Sequence, residues 1–232
     1  MNLHIILDFD GVLFDSAPEV YKICEKITKG NKNYKQNLSY KEFLKYRSYV
    51  TDAWQYSLVY SKKLLNEPIS FKNVLPDDED NLFAKNFFYA RSEISQDEII
   101  DSIKPYKFFD KLSYFLDKYP QFFSILSTRN IDSINQILNK HKINNIKIYG
   151  QEDVKKFGSK ILIFEEKINS DFENFTVYID DIYEHLEPFE DKVDLTIHAG
   201  WGYGHNDKNS FDEDYCFKII SSIFKIYLSL QK

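Results

Sequence analysis

The sequence predicts an α/β protein in which a parallel sheet lies between two helical layers and is interrupted by one all-helical insertion. Three observations carry this. Short apolar runs without polar alternation occur at the start of the chain and again after residue 105, each followed by a helical segment. Strands buried on both faces read this way, and strands separated by helices are joined by right-handed crossovers into a parallel sheet. The stretch from Asn31 to Lys104 breaks the alternation and offers only helical spacing. Finally, three of the apolar runs stop at polar clusters: Asp8/Asp10, Ser127-Thr128 and Asp180-Asp181. In open parallel sheets ligands bind beyond the carboxyl ends of the strands, so the three clusters converge on one crevice although most of the chain separates them.

The first run, Leu3–Leu7 with His4 inside it, ends at Asp8, and Asp10 and Gly11 follow. Ser16-Ala17-Pro18-Glu19 has the form of a capping box with a proline in the first turn, opening a helix that runs to about Thr28. Tyr40 to Leu65 contains neither Pro nor Gly and reads as one long helix, broken at most once. Phe43, Val50, Trp54, Leu58 and Leu65 form one apolar stripe on it, and Tyr46, Tyr49, Ala53, Tyr56 and Tyr60 a second; two stripes imply contacts on two sides. Arg47 lies on the first stripe, either as a substrate hook or, as is commoner, as a cation at the edge of the core. Asp77-Asp78-Glu79-Asp80 reads as a solvated loop and helix start, with helices following near Asn81–Arg91 and Gln96–Ile103. The boundaries expected are 1–16 and 105–232 for the α/β core and 17–104 for the helical insertion.

After Pro105 the alternation resumes. Phe108–Lys118 is a helix, and Phe122–Leu126 is a strand stopping at Ser127-Thr128-Arg129. Ile131–His141 is a helix capped by Ser127 or Thr128. Ile146–Tyr149 is a short strand, Lys160–Ile168 a helix and Phe175–Ile179 a strand that stops at Asp180-Asp181. Val193–Ile197 is a fifth strand, followed by the loop Gly200-Trp201-Gly202-Tyr203-Gly204. Asp214–Leu230 closes the chain as a helix with Phe217, Ile220, Phe224, Tyr227 and Leu228 on its buried face.

Composition narrows the classes. With 232 residues, 43% of them hydrophobic, the chain can form a large domain carrying an insertion. A net charge of −6 argues against a nucleic-acid partner, whose phosphates need a basic surface. No apolar run approaches the ~18 residues that span a membrane, and Leu3–Leu7 is too short for a signal peptide. Cys24 and Cys216 lie far apart without metal-ligand spacing. They read as small buried residues in a cytoplasmic protein, monomeric or homodimeric.

Two carboxylates closing a strand repel unless a cation offsets them. Mg2+ suits them, since it takes oxygen ligands and is often held by only one or two carboxylates plus a substrate phosphate. The stretch Asp8-Phe9-Asp10-Gly11-Val12-Leu13-Phe14-Asp15-Ser16 resembles the first motif of the haloacid dehalogenase superfamily, DxDG(T/V)LxDS. The later motifs follow in order: the strand Phe123-Ser124-Ile125-Leu126-Ser127, a lysine at a helix start, and Val177-Tyr178-Ile179-Asp180-Asp181. The loop Ala199–Gly204 resembles one seen in phosphoglycolate-phosphatase-like members.

The resemblance implies a Rossmann-like three-layer core with an inserted helical cap of the first type over the carboxyl ends of the sheet. It implies a Mg2+-dependent phosphatase for a small phosphorylated metabolite. Asp8 is then the nucleophile that forms an aspartyl phosphate, and Asp10 the general acid/base. Ser127 and Thr128 bind phosphate together with Lys160, which is preferred over Lys155 and Lys156 for that role. The metal lies among Asp8, the Asp10 carbonyl, Asp181 and Asp180. His185 stands where the family often has a later acid. Phosphomutase activity, or a catalytically silent binding role on the same scaffold, are the alternatives; Val12 in place of the commoner Thr occurs in phosphomutases, whereas retention of every motif residue argues against silence.

Overall fold

The structure, a computed structural model, describes residues 2–61, 71, 74–93, 101–168, 174–204 and 210–231. The chain divides into two compact units, Met1–Asp15 with Pro105–Lys232, and Ser16–Lys104.

The first unit is built on a five-stranded parallel sheet: β1 (Asn2–Leu7), β4 (Phe123–Leu126), β5 (Lys147–Tyr149), β6 (Asn174–Asp180) and β7 (Leu195–His198), in the order β5-β4-β1-β6-β7. Two further short strands, β2 (Phe14–Asp15) and β3 (Lys104–Pro105), pair in a separate two-stranded sheet. The five strands read as unbroken apolar runs because both sheet faces are covered, and Ile5, Ile6 and Leu7 are wholly buried. On one face Ile6, Leu126, Tyr149 and Tyr178 pack against Ile163, Phe164, Leu186 and Phe189. These come from α8 (Lys160–Ile163), the π-helical turn that continues it over Phe164–Ile168, α9 (Tyr183–Leu186) and the 3-10 turn Glu187–Phe189. On the other side Phe123 stacks on Phe224 with ring centroids 5.4 Å apart, and Phe224 lies 5.1 Å from Phe115. Those rings bring together α5 (Lys107–Lys118) and α10 (Glu213–Leu230). The remaining helices of this unit are α6 (Ile131–Lys140) and α7 (Gln151–Phe157).

The strand order explains where a site can form. From β1 the chain passes to β4 and β5 on one side, then returns to β6 and β7 on the other. The carboxyl end of β1 is therefore the topological switch point, where crossover loops diverge and leave a crevice. Leu7 is level with Ile125 on β4 and with Ile179 on β6, so the residues that follow these three strands start from the same height.

The second unit contains α1 (Ala17–Thr28), α2 (Tyr40–Arg47), α3 (Gln55–Tyr60) and α4 (Asp78–Glu93). The long helix expected from Tyr40 is two short ones. Ser39 and Glu42 form a complete capping box at the start of α2. The break after Arg47 is held by side chains: the guanidinium donates to the Val50 carbonyl at 3.1 Å, and Gln55 Oε1 accepts from the Thr51 and Asp52 amides at 2.7 and 3.0 Å. Arg47 thus serves the turn. The bend brings Phe43 of one expected stripe onto Tyr56 of the other, and Tyr56 stacks in turn on Phe87.

Ser16 sits at the N-cap of α1 without a side-chain capping bond, its backbone helical rather than extended, and Glu19 pairs with Arg91 on α4 at 3.1 Å. Asp80 is buried rather than solvated and accepts from Ser57. Leu65 and most of Gln96–Ile103 lie outside the described residues.

Candidate active site

Asp8 leaves β1 with its amide still in the ladder, donating to the Ile179 carbonyl at 2.9 Å. Its carboxylate is almost fully buried at 5% exposure, and Asp180 and Asp181, at the end of β6, are both at 0%. Oxygens from these three side chains lie within 4.8 Å of one another. Lys160 Nζ bridges two of them, 3.0 Å from Asp8 Oδ1 and 2.7 Å from Asp180 Oδ2. Lys160 reaches the cluster from the first turn of α8, which Ser159 caps by accepting from the Leu162 amide. Lys155 and Lys156 are exposed on α7.

One lysine against three buried carboxylates leaves negative charge uncompensated. Burial pushes Asp8 up to about 7 against the pull of Lys160, with Asp180 and Asp181 reinforcing the rise. Burial acts on Asp180 in the same sense. There, however, the charges of Lys160 and His185 and their hydrogen bonds prevail and hold it well below the usual carboxylate range. Lys160 likewise resists its own burial: Asp180 and Asp8 hold it above the ordinary lysine value.

The oxygens of Asp180 are crowded with donors. Oδ2 also accepts from Tyr178 at 2.5 Å, and Oδ1 accepts from the Ile182 amide at 2.9 Å and lies 3.3 Å from His185 Nδ1. Asp180 therefore fits as the anchor that orients Lys160. That leaves Asp8 and Asp181 as the better placed oxygens for a divalent cation, and such a cation fits the excess charge.

Asp181 is enclosed by the loop after β7. The Tyr203 amide donates to Oδ2 at 2.6 Å, and His198 Nε2 meets the Asp181 carbonyl at 3.0 Å. A Cβ on Gly202 would stand 2.3 Å from the Asp181 Cβ, and one on Gly204 would stand 1.7 Å from its carbonyl oxygen, so the loop can approach only as glycine. Gly11, at φ +93, also lies against Asp181: a Cβ there would stand 2.2 Å from its Oδ2. Trp201 Nε1 donates to the Val12 carbonyl at 3.0 Å and the Tyr203 hydroxyl to Asp15 at 2.7 Å, tying this loop to the one after β1.

The other two clusters separate in role. Ser127 is buried at the end of β4, its amide on the Tyr149 carbonyl and its Oγ accepting from the Arg129 amide at 3.3 Å. Thr128 is exposed. Neither caps α6; Asn130 does, accepting from the Ser133 amide at 2.7 Å. Asp10 stands apart from the three-carboxylate cluster and pairs with Arg129 Nη1 at 2.9 Å.

Arg129, Tyr178, His198 and Tyr203 thus contribute contacts that motif reading missed. Tyr178 carried a signal: two residues before Asp180 on one strand, it faces the same side. Arg129 directly follows Ser127-Thr128, but nothing in the sequence pairs it with Asp10.

No family model matches the sequence, and none of the curated proteins does. Solved structures match in fold. A predicted phosphatase of Clostridium acetobutylicum superposes with a TM-score of 0.64 at 18% identity, over 96% of this chain and 99% of that one. A haloacid dehalogenase-like hydrolase of Streptococcus pneumoniae gives 0.58 at 15% identity, covering 88% of each chain. A predicted phosphoglycolate phosphatase of Haemophilus somnus gives 0.57 at 13% identity, over 90% of this chain and 89% of that one. The chain has the Rossmann-like fold these hydrolases share.

Proposed function

We propose that the chain is a Mg2+-dependent phosphatase acting on a small phosphorylated metabolite through an aspartyl phosphate on Asp8. The single observation that carries this reading is the buried group Asp8, Lys160, Asp180 and Asp181 at the sheet's switch point. A phosphate monoester dianion would be repelled by such carboxylates alone, so the site needs positive charge, and Mg2+ bound by Asp8 and Asp181 supplies that charge. Asp180 holds Lys160 against Asp8, where the ammonium neutralises both nucleophile and phosphoryl oxygens. Ser127 Oγ already accepts from the Arg129 amide, so its own O–H is the part left to donate to a phosphoryl oxygen.

Asp8 Oδ attacks phosphorus in line, the P–O bond to the leaving group breaks, and Asp10, entering this step as the carboxylic acid, gives that oxygen a proton. Asp10 then takes a proton from water as the water attacks the phosphorus of the aspartyl phosphate, releasing inorganic phosphate and restoring Asp8. We assign the helical unit Ser16–Lys104 the role of a cap that selects the substrate. The buried, unbridged thiols of Cys24 and Cys216 fit a reducing cytoplasm, and among the described residues no helix is long and apolar enough to cross a membrane.

The test is phosphate release from a panel of phosphorylated metabolites, with Mg2+ and with excess chelator. Turnover of at least one ester that chelation abolishes and Mg2+ restores is expected. Turnover indifferent to chelation on every active substrate would overturn the metal assignment.

A further inference from the structure

We propose that Arg129 is a positioning residue for Asp10, holding its carboxylate in the orientation proton transfer needs. The inference rests on the reading of Asp10 as acid/base. Arg129 is the largest fully buried side chain among the described residues, at 1% exposure, while the Asp10 side chain is 18% exposed. The guanidinium end of the pair is buried and the carboxylate end is partly open to solvent.

The fixing is specific. Arg129 Nε donates to Ser133 Oγ at 2.9 Å, and the guanidinium lies over the Phe9 ring, its carbon 5.8 Å from the centroid. Its amide is bonded to Ser127 Oγ and its carbonyl accepts from the Gln151 amide at 2.9 Å. A planar fork with one nitrogen anchored on α6 leaves Nη1 a single direction, and Asp10 Oδ1 lies along it. The same backbone therefore sets the Ser127 hydroxyl and, through the side chain, the Asp10 carboxylate. An acid/base displaced by about 1 Å can cost on the order of 10²-fold in rate, which is the scale of the effect expected here.

Leaving-group dependence separates positioning from general structural support. Arg129→Gln, Arg129→Lys, Ser133→Ala and Asp10→Asn are compared on an alkyl and an aryl phosphate in Mg2+, with inhibition by inorganic phosphate measured in parallel. Arg129→Gln is expected to lower alkyl-phosphate kcat/KM by roughly 10- to 100-fold. Aryl-phosphate kcat/KM, whose leaving group needs little protonation, should hold within about threefold, with a burst of aryl product as the unassisted second step slows. Phosphate inhibition should be unchanged. Arg129→Lys and Ser133→Ala should give weaker versions of the same pattern, and they carry the test if Arg129→Gln does not fold. In the Asp10→Asn background Arg129→Gln should add little.

If Asp10→Asn shows the leaving-group pattern but the Arg129 and Ser133 variants reduce both substrates equally, or weaken phosphate inhibition, the positioning role is overturned and the acid/base reading stands. If Asp10→Asn itself reduces both substrates equally with no burst, the acid/base reading falls and the proposal falls with it.

Discussion

At the residue scale, Lys160 offsets part of the negative charge of the buried carboxylates. Its ammonium lies between Asp8 and Asp180 with almost no water beside it. Removing one partner of a buried ion pair typically costs about 3–5 kcal/mol, because the remaining charge is left uncompensated. Lys160→Met is therefore expected to lower stability by about that much in chelator, measured by urea unfolding, and to lose phosphate release. Mg2+ should return part of the lost stability to this variant, since it supplies charge beside the same carboxylates; a stability unchanged by the substitution would contradict the account.

These residues were legible in the sequence because chemistry concentrates where apolar runs stop, and Asp8, Ser127 and Asp180-Asp181 each end such a run. Arg129 and Tyr203 were not, because their partners Asp10, Asp15 and Asp181 are distant in sequence and pair only through loop conformation. Asp180 was expected among the metal ligands; its four donors became visible only when Tyr178 and His185 were placed around it.

At the element scale, the loop after β7 encloses Asp181, and its glycines are required by contact. A methyl at Gly202 would come within 2.3 Å of the Asp181 Cβ and 2.5 Å of the Gly11 carbonyl, both tied to backbone. Gly202→Ala should thus displace Asp181, destabilising the protein by about 1–3 kcal/mol and raising the Mg2+ concentration needed for half-maximal activity. An unchanged Mg2+ requirement would show that this loop does not shape the metal site.

The helical unit shows how local pattern misleads. Tyr40–Tyr60 lacks Pro and Gly, yet it bends because Arg47 and Gln55 bind the backbone of the turn, and propensity carries no trace of such bonds. The expected capping box at Ser16 also fails: the Ser16 backbone is helical rather than extended, and Glu19 pairs with Arg91.

At the scale of the whole molecule, the sheet was the most legible part. Five apolar runs in a β/α rhythm determine a parallel sheet, and its order places the crevice at the end of β1. The same sheet carries a pH response apart from the site. His4 on β1 meets Ser124 on β4 at 3.0 Å, and Ser124 is level with Lys147 on β5. Burial, aided by the Lys147 charge, lowers His4 from 6.5 to about 4. The folded protein thus keeps His4 neutral where the unfolded chain would take up a proton. This contribution to stability is complete above about pH 6.5 and is lost as the pH falls toward 4, on the order of 2 kcal/mol. Urea unfolding between these pH values should be less steeply pH-dependent in His4→Gln, and identical slopes would refute the assignment.

The central claim, that Asp8 is the nucleophile at this switch point, has a direct measurement. Enzyme mixed with a substrate ester and Mg2+ is quenched in acid within the first turnover, digested, and its peptides are weighed. The account predicts one added phosphoryl group on the peptide containing Asp8, absent from Asp8→Asn, which should fold yet fail to turn over. A phosphoryl group on any other residue, or full turnover by pure Asp8→Asn protein, would contradict it.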